Sequence, residues 1–314
     1  MNAQVLLLTS VFDFSADLVA LQLEEMRVPF LRINREDLLS YRMTIDPLKP
    51  SLIIYRDGEL VDHLICFKSI WFRHPVFLRN TPQTPLSAED QLQRSQWAAF
   101  TRAFAVFDNV SWMNWPQATY LAENKPYQLL TASRCGFSVP RTLVGNDAEQ
   151  FRNGFSAAAV LKSVDTVLVR EGKDSLFTYT THCDAQKITD EAVRTAPLIM
   201  QEYIDGKIDC RVTVVGDKVF AVKILKNGRA ILGDWRMTPK EELEYVDFML
   251  PKAIEGYCRH LVKKLGLVFG GIDLLIAKRR FVFLEVNPTG EWGWVSSKER
   301  PIDREIARWL AAPH

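Results

Sequence analysis

Long apolar runs are what this sequence most lacks. No stretch approaches the roughly 18 apolar residues that a membrane span needs. The short run Val5–Leu8 has no cationic segment before it and no small-residue cleavage site after it. It reads as a strand, not a signal peptide. Cysteine is scarce too: Cys66, Cys135, Cys183, Cys210 and Cys258 are odd in number, scattered, and form no C-x-x-C pair. That argues against a disulfide framework and a structural zinc site. Charge of one sign is missing: 39 Lys and Arg face 38 Asp and Glu, for a net charge of +1. No global field therefore points toward nucleic acid. Glycine is never dense enough to cradle a phosphate, and G-x-x-x-x-G-K-[ST] does not occur, which disfavours a P-loop. The expectation is a cytoplasmic protein with no membrane and no nucleic-acid partner.

What is there is an ordinary globular composition, 47% hydrophobic and 25% charged, in 314 residues. That length suffices for two or three small domains with a sizeable core. The first part alternates strand and helix signals. Val5–Leu8 is a strand, Ser15 caps a helix to about Arg27, and Pro29–Ile33 is a second strand. Asp57-Gly58 joins a hairpin of Leu52–Arg56 and Leu60–Ile65. Ser69–Arg73 reads as another strand, and a long helix runs from about Ser87 to Phe107. Asn124-Lys125-Pro126 opens a further helix that Cys135-Gly136 closes. Ala157–Lys162 is a strand, and Ser163–Ser175 is polar: either a mobile lid or a plain surface loop. Leu198–Ile204, Asp209–Val215 and Val219–Lys226 form an antiparallel run. A helix over Lys252–Leu265 precedes strands Val268–Ala277 and Phe281–Val286, and Ile302–Leu310 is a closing helix. The class is α/β with α+β elements, divided at 1–119, 120–200 and 201–314.

Three residue sets carry chemistry. Asp273 and Glu285-Val286-Asn287 lie on neighbouring C-terminal strands, where alternation puts Phe283, Glu285 and Asn287 on one face and Val282, Leu284 and Val286 in the core. Two carboxylates and an amide oxygen suit Mg²⁺, a hard ion that takes oxygen ligands. Read otherwise, they are solvated acids on a surface hairpin. Lys125 at a helix start and Lys162 at a strand end could reach phosphates as point charges. Alone, each is more often a solvated lysine. Gln201-Glu202-Tyr203-Ile204 could offer backbone groups to an adenine, with Glu202 or Asp209 on the ribose. Asp209 and Arg211 share a strand face and read either as a surface ion pair or, for Arg211, as a bidentate clamp on an oxyanion.

The order of these sets resembles the ATP-grasp superfamily, with RimK-type ligases as broad relatives. Further segments are similar to graspetide (microviridin-type) synthetases: Ile70-Trp71-Phe72-Arg73-His74-Pro75, Trp112-Met113-Asn114-Trp115-Pro116, Asn124-Lys125-Pro126-Tyr127-Gln128-Leu129, Gly136–Leu143 and Glu285–Trp294. His74 departs from that pattern, standing where the family has a second arginine. The resemblance implies an ATP-grasp fold with an N-terminal α/β domain, a central domain and a C-terminal antiparallel-sheet domain. It implies ATP held by Lys125, Lys162, the 201–204 segment and Asp209, and Mg²⁺ held by Asp273, Glu285 and Asn287. Arg211 and Lys162 would be catalytic, with Arg73, Arg211 and Glu291 at the substrate. The reaction implied joins Asp or Glu side chains of a ribosomally made precursor peptide to Ser, Thr or Lys, and the family suggests a homodimer. A ligase adding a free amino acid and a non-catalytic peptide-binding module remain alternatives.

Overall fold

A computed structural model describes residues 3–64, 67–73, 86–156, 158–165, 168–171, 174–177 and 180–312, with the backbone alone at 62–64, 168–171 and 174–177. His74 lies outside them. The chain begins with β1 (Val5–Thr9), α1 (Phe14–Glu25), β2 (Phe30–Asn34), β3 (Tyr41–Asp46), β4 (Ser51–Arg56), β5 (Glu59–Leu64) and β6 (Ser69–Phe72). Next come α2 (Ala88–Ala103), β7 (Ser111–Met113) and α3 (Pro116–Ala122). Strands β2-β1-β6-β7 pair in parallel, and β3-β4-β5 form a separate antiparallel sheet. Strand β1 is buried throughout because both faces of its sheet are covered.

The second stretch holds α4 (Lys125–Arg134), β8 (Thr142–Gly145), α5 (Ala148–Gly154), β9 (Ala158–Ser163), β10 (Leu168–Glu171), β11 (Asp174–Phe177), β12 (Thr181–Asp184), α6 (Asp190–Arg194) and β13 (Leu198–Glu202). Its sheet runs β12-β9-β13-β8. Among the described residues of and just after the polar 163–175 stretch, β10 and β11 pair antiparallel. The last stretch holds β14 (Ile208–Val215), β15 (Lys218–Leu225), β16 (Glu244–Asp247), α7 (Lys252–Lys264), β17 (Phe269–Ala277), β18 (Arg280–Asn287) and α8 (Ile302–Ala311). Its sheet is antiparallel, in the order β16-β15-β14-β17-β18. Helix α7 packs on this sheet through Cys258, Leu261 and Val262. Helix α8 turns its apolar stripe, Ile302, Ile306, Ala307 and Leu310, toward the N-terminal unit, sharing a core with Val5, Val19 and Trp71.

Helix α1 is capped two residues earlier than expected. Asp13 is the N-cap and accepts from the Ala16 N–H at 3.2 Å. Ser15 is thereby released for a long-range role: its Oγ donates to Glu291 Oε2 at 2.8 Å and accepts from the Gly293 N–H at 3.1 Å.

Two buried amides tie the units together. Asn114 donates to the carbonyls of Phe269 and Pro288, both at 2.9 Å, and accepts from the N–H groups of Val268 and Phe269 at 2.7 and 2.8 Å. Its amide then has all the partners it can take. Gln128 joins α4 to β18, donating to the Val286 carbonyl at 2.8 Å and accepting from its N–H at 3.0 Å. Asn114→Ala strands several buried backbone groups, so the expected loss is about 3 kcal/mol in urea denaturation. A loss below about 1 kcal/mol would mean the amide is not a tie.

Candidate active site

One cavity of about 380 Å³ lies between the two antiparallel sheets, and every candidate residue except Arg73 lines it. Lys125 and Lys162 come from α4 and β9. Gln201 and Glu202 end β13, and Tyr203 and Ile204 lead on toward β14, which carries Asp209 and Arg211. Asp273, Glu285 and Asn287 come from β17 and β18, and Glu291 follows them. Val160, Leu275 and Leu284 add an apolar wall, the usual mixture for a small-molecule pocket.

The centre of the site is a row across the sheet. In the ladder, Arg211 of β14 stands opposite Asp273 of β17, and Asp273 stands opposite Glu285 of β18. Arg211 Nη1 donates to Asp273 Oδ1 at 2.8 Å, and Nη2 donates to the Glu291 carbonyl at 3.0 Å. Asp209 does not pair with Arg211, as a surface reading would have it; it is ion-paired with Lys207. The guanidinium of Arg211 needs open backbone beside it. A Cβ built at Gly290 would lie 2.6 Å from it, and one at Gly271 would also collide. Both glycines are there for this approach.

Strict alternation along β18 fails at the site. The register shifts between Asp273 and Leu274, where a β-bulge interrupts the ladder. Phe283 is consequently in the core, while Leu284 and Glu285 both line the cavity and Val286 returns to the core. The expectation that Phe283 shares a face with Glu285 and that Leu284 is a core residue is thus corrected.

Arg236, absent from the sequence-derived set, sits against the acidic pair. Its Nη2 donates to Asp273 Oδ2 at 2.7 Å and to Glu285 Oε1 at 3.1 Å. Asp234 accepts from the Arg236 N–H at 3.0 Å and faces its side chain at 3.4 Å. Burial raises the carboxyl of Asp273, but the guanidiniums of Arg211 and Arg236 more than reverse this and hold it well below the usual range. Burial opposes the charge of Arg236, yet Asp273, Glu285 and Asp234 push its pKa up. Burial pushes Lys162 down, aided by Lys125 and Arg236 and opposed by Glu285. Burial also raises Asp209, against the pull of Lys207.

Lys162 Nζ donates to Gln201 Oε1 at 2.7 Å, and Gln201 passes the contact on to Thr142 Oγ1 at 2.9 Å. Lys125 Nζ donates to the Ser163 carbonyl at 3.2 Å. The Glu202 carboxylate accepts from the Arg141 N–H at 3.1 Å. Arg73 stands behind the cavity. It is buried, ion-paired with Asp13 at 3.1 Å and Glu291 at 2.9 Å, and donates to the carbonyls of Thr289 and Gly290. Arg73 and Glu291 therefore brace the loop that follows β18. Of the aromatic flanks, Trp71 and Trp292 are core residues, while Trp294 faces the cavity and packs on Trp235 and Tyr245.

Asp273, Glu285 and Asn287 offer an all-oxygen donor set to a hard cation. The point between the two carboxylates already holds a positive group, the Arg236 guanidinium. The residues fit a divalent ion on that ground. Among the described residues no cluster of three or more His, Cys, Asp or Glu is suited to a metal, so a cation held here would need the amide of Asn287 and oxygens from outside the protein to complete its set.

Two antiparallel sheets closing on a pocket that presents lysines from one side and acids from the other define an ATP-grasp ligase. Residues 124–310 match the RimK-like ATP-grasp domain, and the chain belongs to that family, whose domain binds ATP. Solved structures superpose over nearly the full length. The macrocyclase MdnC of Microcystis aeruginosa MRC, bound with precursor peptide MdnA, is 22% identical with a TM-score of 0.81, covering 98% of each chain. A RiPP-associated ATP-grasp ligase of Chryseobacterium gregarium, in complex with ADP and a leader and core peptide, is 21% identical with a TM-score of 0.82, covering 99% of this chain and 96% of that one. The macrocyclase MdnB of Microcystis aeruginosa MRC is 25% identical with a TM-score of 0.77, covering 98% of each. No curated protein sequence matches the chain significantly. No helix among the described residues is long and apolar enough to cross a membrane.

Proposed function

We propose that this ligase acts on a ribosomally made precursor peptide, activating Asp or Glu side chains and joining them to Ser, Thr or Lys as esters or amides. The observation that carries the reading is the row Arg211–Asp273–Glu285 facing Lys125 and Lys162 in one cavity. Full-length similarity to ligases solved with precursor, leader or core peptides supports the choice of substrate.

Lys125 and Lys162 hold the nucleotide phosphates as point charges. Segment 201–204 borders the adenine, and Asp209 contacts the ribose. Asp273, Glu285 and Asn287, its amide turned to present Oδ1, would hold Mg²⁺, which when bound would neutralise charge on the phosphates. A side-chain carboxylate of the peptide attacks the γ-phosphorus, releasing ADP and leaving an acyl phosphate. Arg211, fixed by Asp273 and the Glu291 carbonyl, stabilises the oxyanion that forms when a hydroxyl or amine adds to the acyl carbon. Phosphate leaves, the nucleophile gives up its proton, and the peptide has lost one water. Hydroxylamine added during turnover is expected to leave hydroxamates on Asp or Glu of the peptide; ADP release with no trapped peptide would contradict side-chain activation.

Lys162→Met removes a half-buried charged donor. Affinity for ADP is expected to fall by about 10- to 100-fold, the worth of a charged hydrogen bond, as read by calorimetry. Unchanged affinity would remove Lys162 from the phosphate site.

A further inference from the structure

We propose that Arg236 is an internal counter-ion that occupies the divalent-cation position and is displaced when the cation enters. The inference rests on the reading of Asp273 and Glu285 as that cation's ligands. A single nitrogen of Arg236, Nη2, bridges Asp273 Oδ2 at 2.7 Å and Glu285 Oε1 at 3.1 Å. It makes with the two carboxylates the bridge that a shared cation would make. The remaining Asp273 oxygen, Oδ1, is taken by Arg211.

Charge then dictates the outcome. The ladder sets the two acids opposite one another, and the guanidinium between them offsets their mutual repulsion in the absence of metal. A dication arriving at the same point would meet a cation within a few ångströms, a repulsion that the cavity does little to screen. Entry of metal and departure of the guanidinium are one event.

The local architecture allows that departure. Arg236 lies in a short 3₁₀ turn, Trp235–Met237, capped by Asp234. The turn is anchored by Asp234, whose side chain is 6% exposed, whereas the Arg236 side chain is 39% exposed and can swing without opening the core. Trp235 packs on Trp294, and the guanidinium carbon lies 4.8 Å from the Trp235 ring centre, so the turn stays seated while the side chain moves. Lys162 and Arg211, fixed on strands and held by Gln201 and Asp273, have no such freedom.

Competition lowers the apparent metal affinity by the fraction of molecules whose site is open. Removing the competitor raises it. The test is Mn²⁺ binding, followed by electron paramagnetic resonance on the full chain, with and without ADP, for the wild type, Arg236→Gln and Arg236→Lys. Arg236→Gln is expected to bind Mn²⁺ at least tenfold more tightly than the wild type without nucleotide, with Arg236→Lys in between. Melting of metal-free Arg236→Gln should occur below the wild type and be restored by Mg²⁺. Equal or weaker Mn²⁺ binding by Arg236→Gln would overturn the counter-ion role while leaving the metal site intact. No binding by any of the three proteins, even with ADP, would overturn the metal reading itself and this inference with it.

Discussion

Asp273→Asn is expected to abolish ATP turnover, by a factor of at least about 10³, and to cost about 3–5 kcal/mol of stability at neutral pH. The carboxylate is buried and accepts from two guanidiniums, Arg211 on one oxygen and Arg236 on the other. Asparagine keeps the shape, but its amide nitrogen turns donors toward donors, and the buried Arg211 loses its counter-charge. The stability effect carries a pH signature. Burial raises Asp273, and the two arginines more than reverse it, so its folded pKa lies below the unfolded value near 3.9. Its contribution is therefore complete above about pH 4 and is lost as pH falls through the folded value, near 2. The gap between wild type and Asp273→Asn in urea denaturation should narrow steadily as pH is lowered from 5 toward 2. A gap independent of pH would mean that the charge of Asp273 is not what the arginines hold.

Arg73→Met is expected to destabilise by a similar amount, about 3–5 kcal/mol, because it leaves Asp13 charged and buried without its partner. Both side chains are 1% exposed. Asp13 keeps only the Thr9 hydroxyl at 2.9 Å and the Ala16 N–H at 3.2 Å, which do not replace a charge. Removing the charge as well should recover much of the loss. The double variant Asp13→Asn, Arg73→Met is expected to be more stable than the sum of the singles by about 1–3 kcal/mol. Simple addition of the two losses would show that the pair is not coupled. Turnover should fall in Arg73→Met too, since the carbonyls of Thr289 and Gly290 lose their donor one residue before Glu291, whose carbonyl holds Arg211.

Much of this was legible in the residues. The Val5–Leu8 run, the 124–134 helix with its Asn124 cap and the antiparallel C-terminal strands follow from periodicity and capping, and they appear with small shifts of boundary. Lys162, Gln201, Glu202, Asp209, Arg211, Asp273, Glu285 and Asn287 converge on one cavity because they lie along or at the ends of strands, positions where sequence spacing translates directly into space. What was hidden has physical reasons. Arg236 lies among residues 226–243, where no period of 2 or 3.6 marks a face, so nothing in the chain announces that it reaches Asp273. Strand β7, Ser111–Met113, is too brief to show a period, whereas β3 alternates apolar and polar residues and was legible. The bulge at Leu284 shifts the alternation by one residue, so the faces read from Glu285 onward do not carry back to Phe283. Ser15 has the residue type of a helix cap, yet Asp13 wins that position because its φ, −92°, and ψ, 86°, lie outside the helix while its carboxylate still reaches the Ala16 N–H. The partners of Arg73, namely Asp13, Thr289, Gly290 and Glu291, are far from it in the chain, and only the fold brings them together.

The account turns on whether the ligase closes bonds within a peptide. The direct measurement is the mass of a precursor peptide rich in Thr, Ser or Lys and in Asp or Glu, encoded beside this chain, after incubation with the enzyme, ATP and Mg²⁺. The predicted product has lost one water for each crosslink, with one ADP released per water. A product heavier than the precursor by an amino-acid residue would contradict it and would mark the enzyme as a ligase that adds a free amino acid.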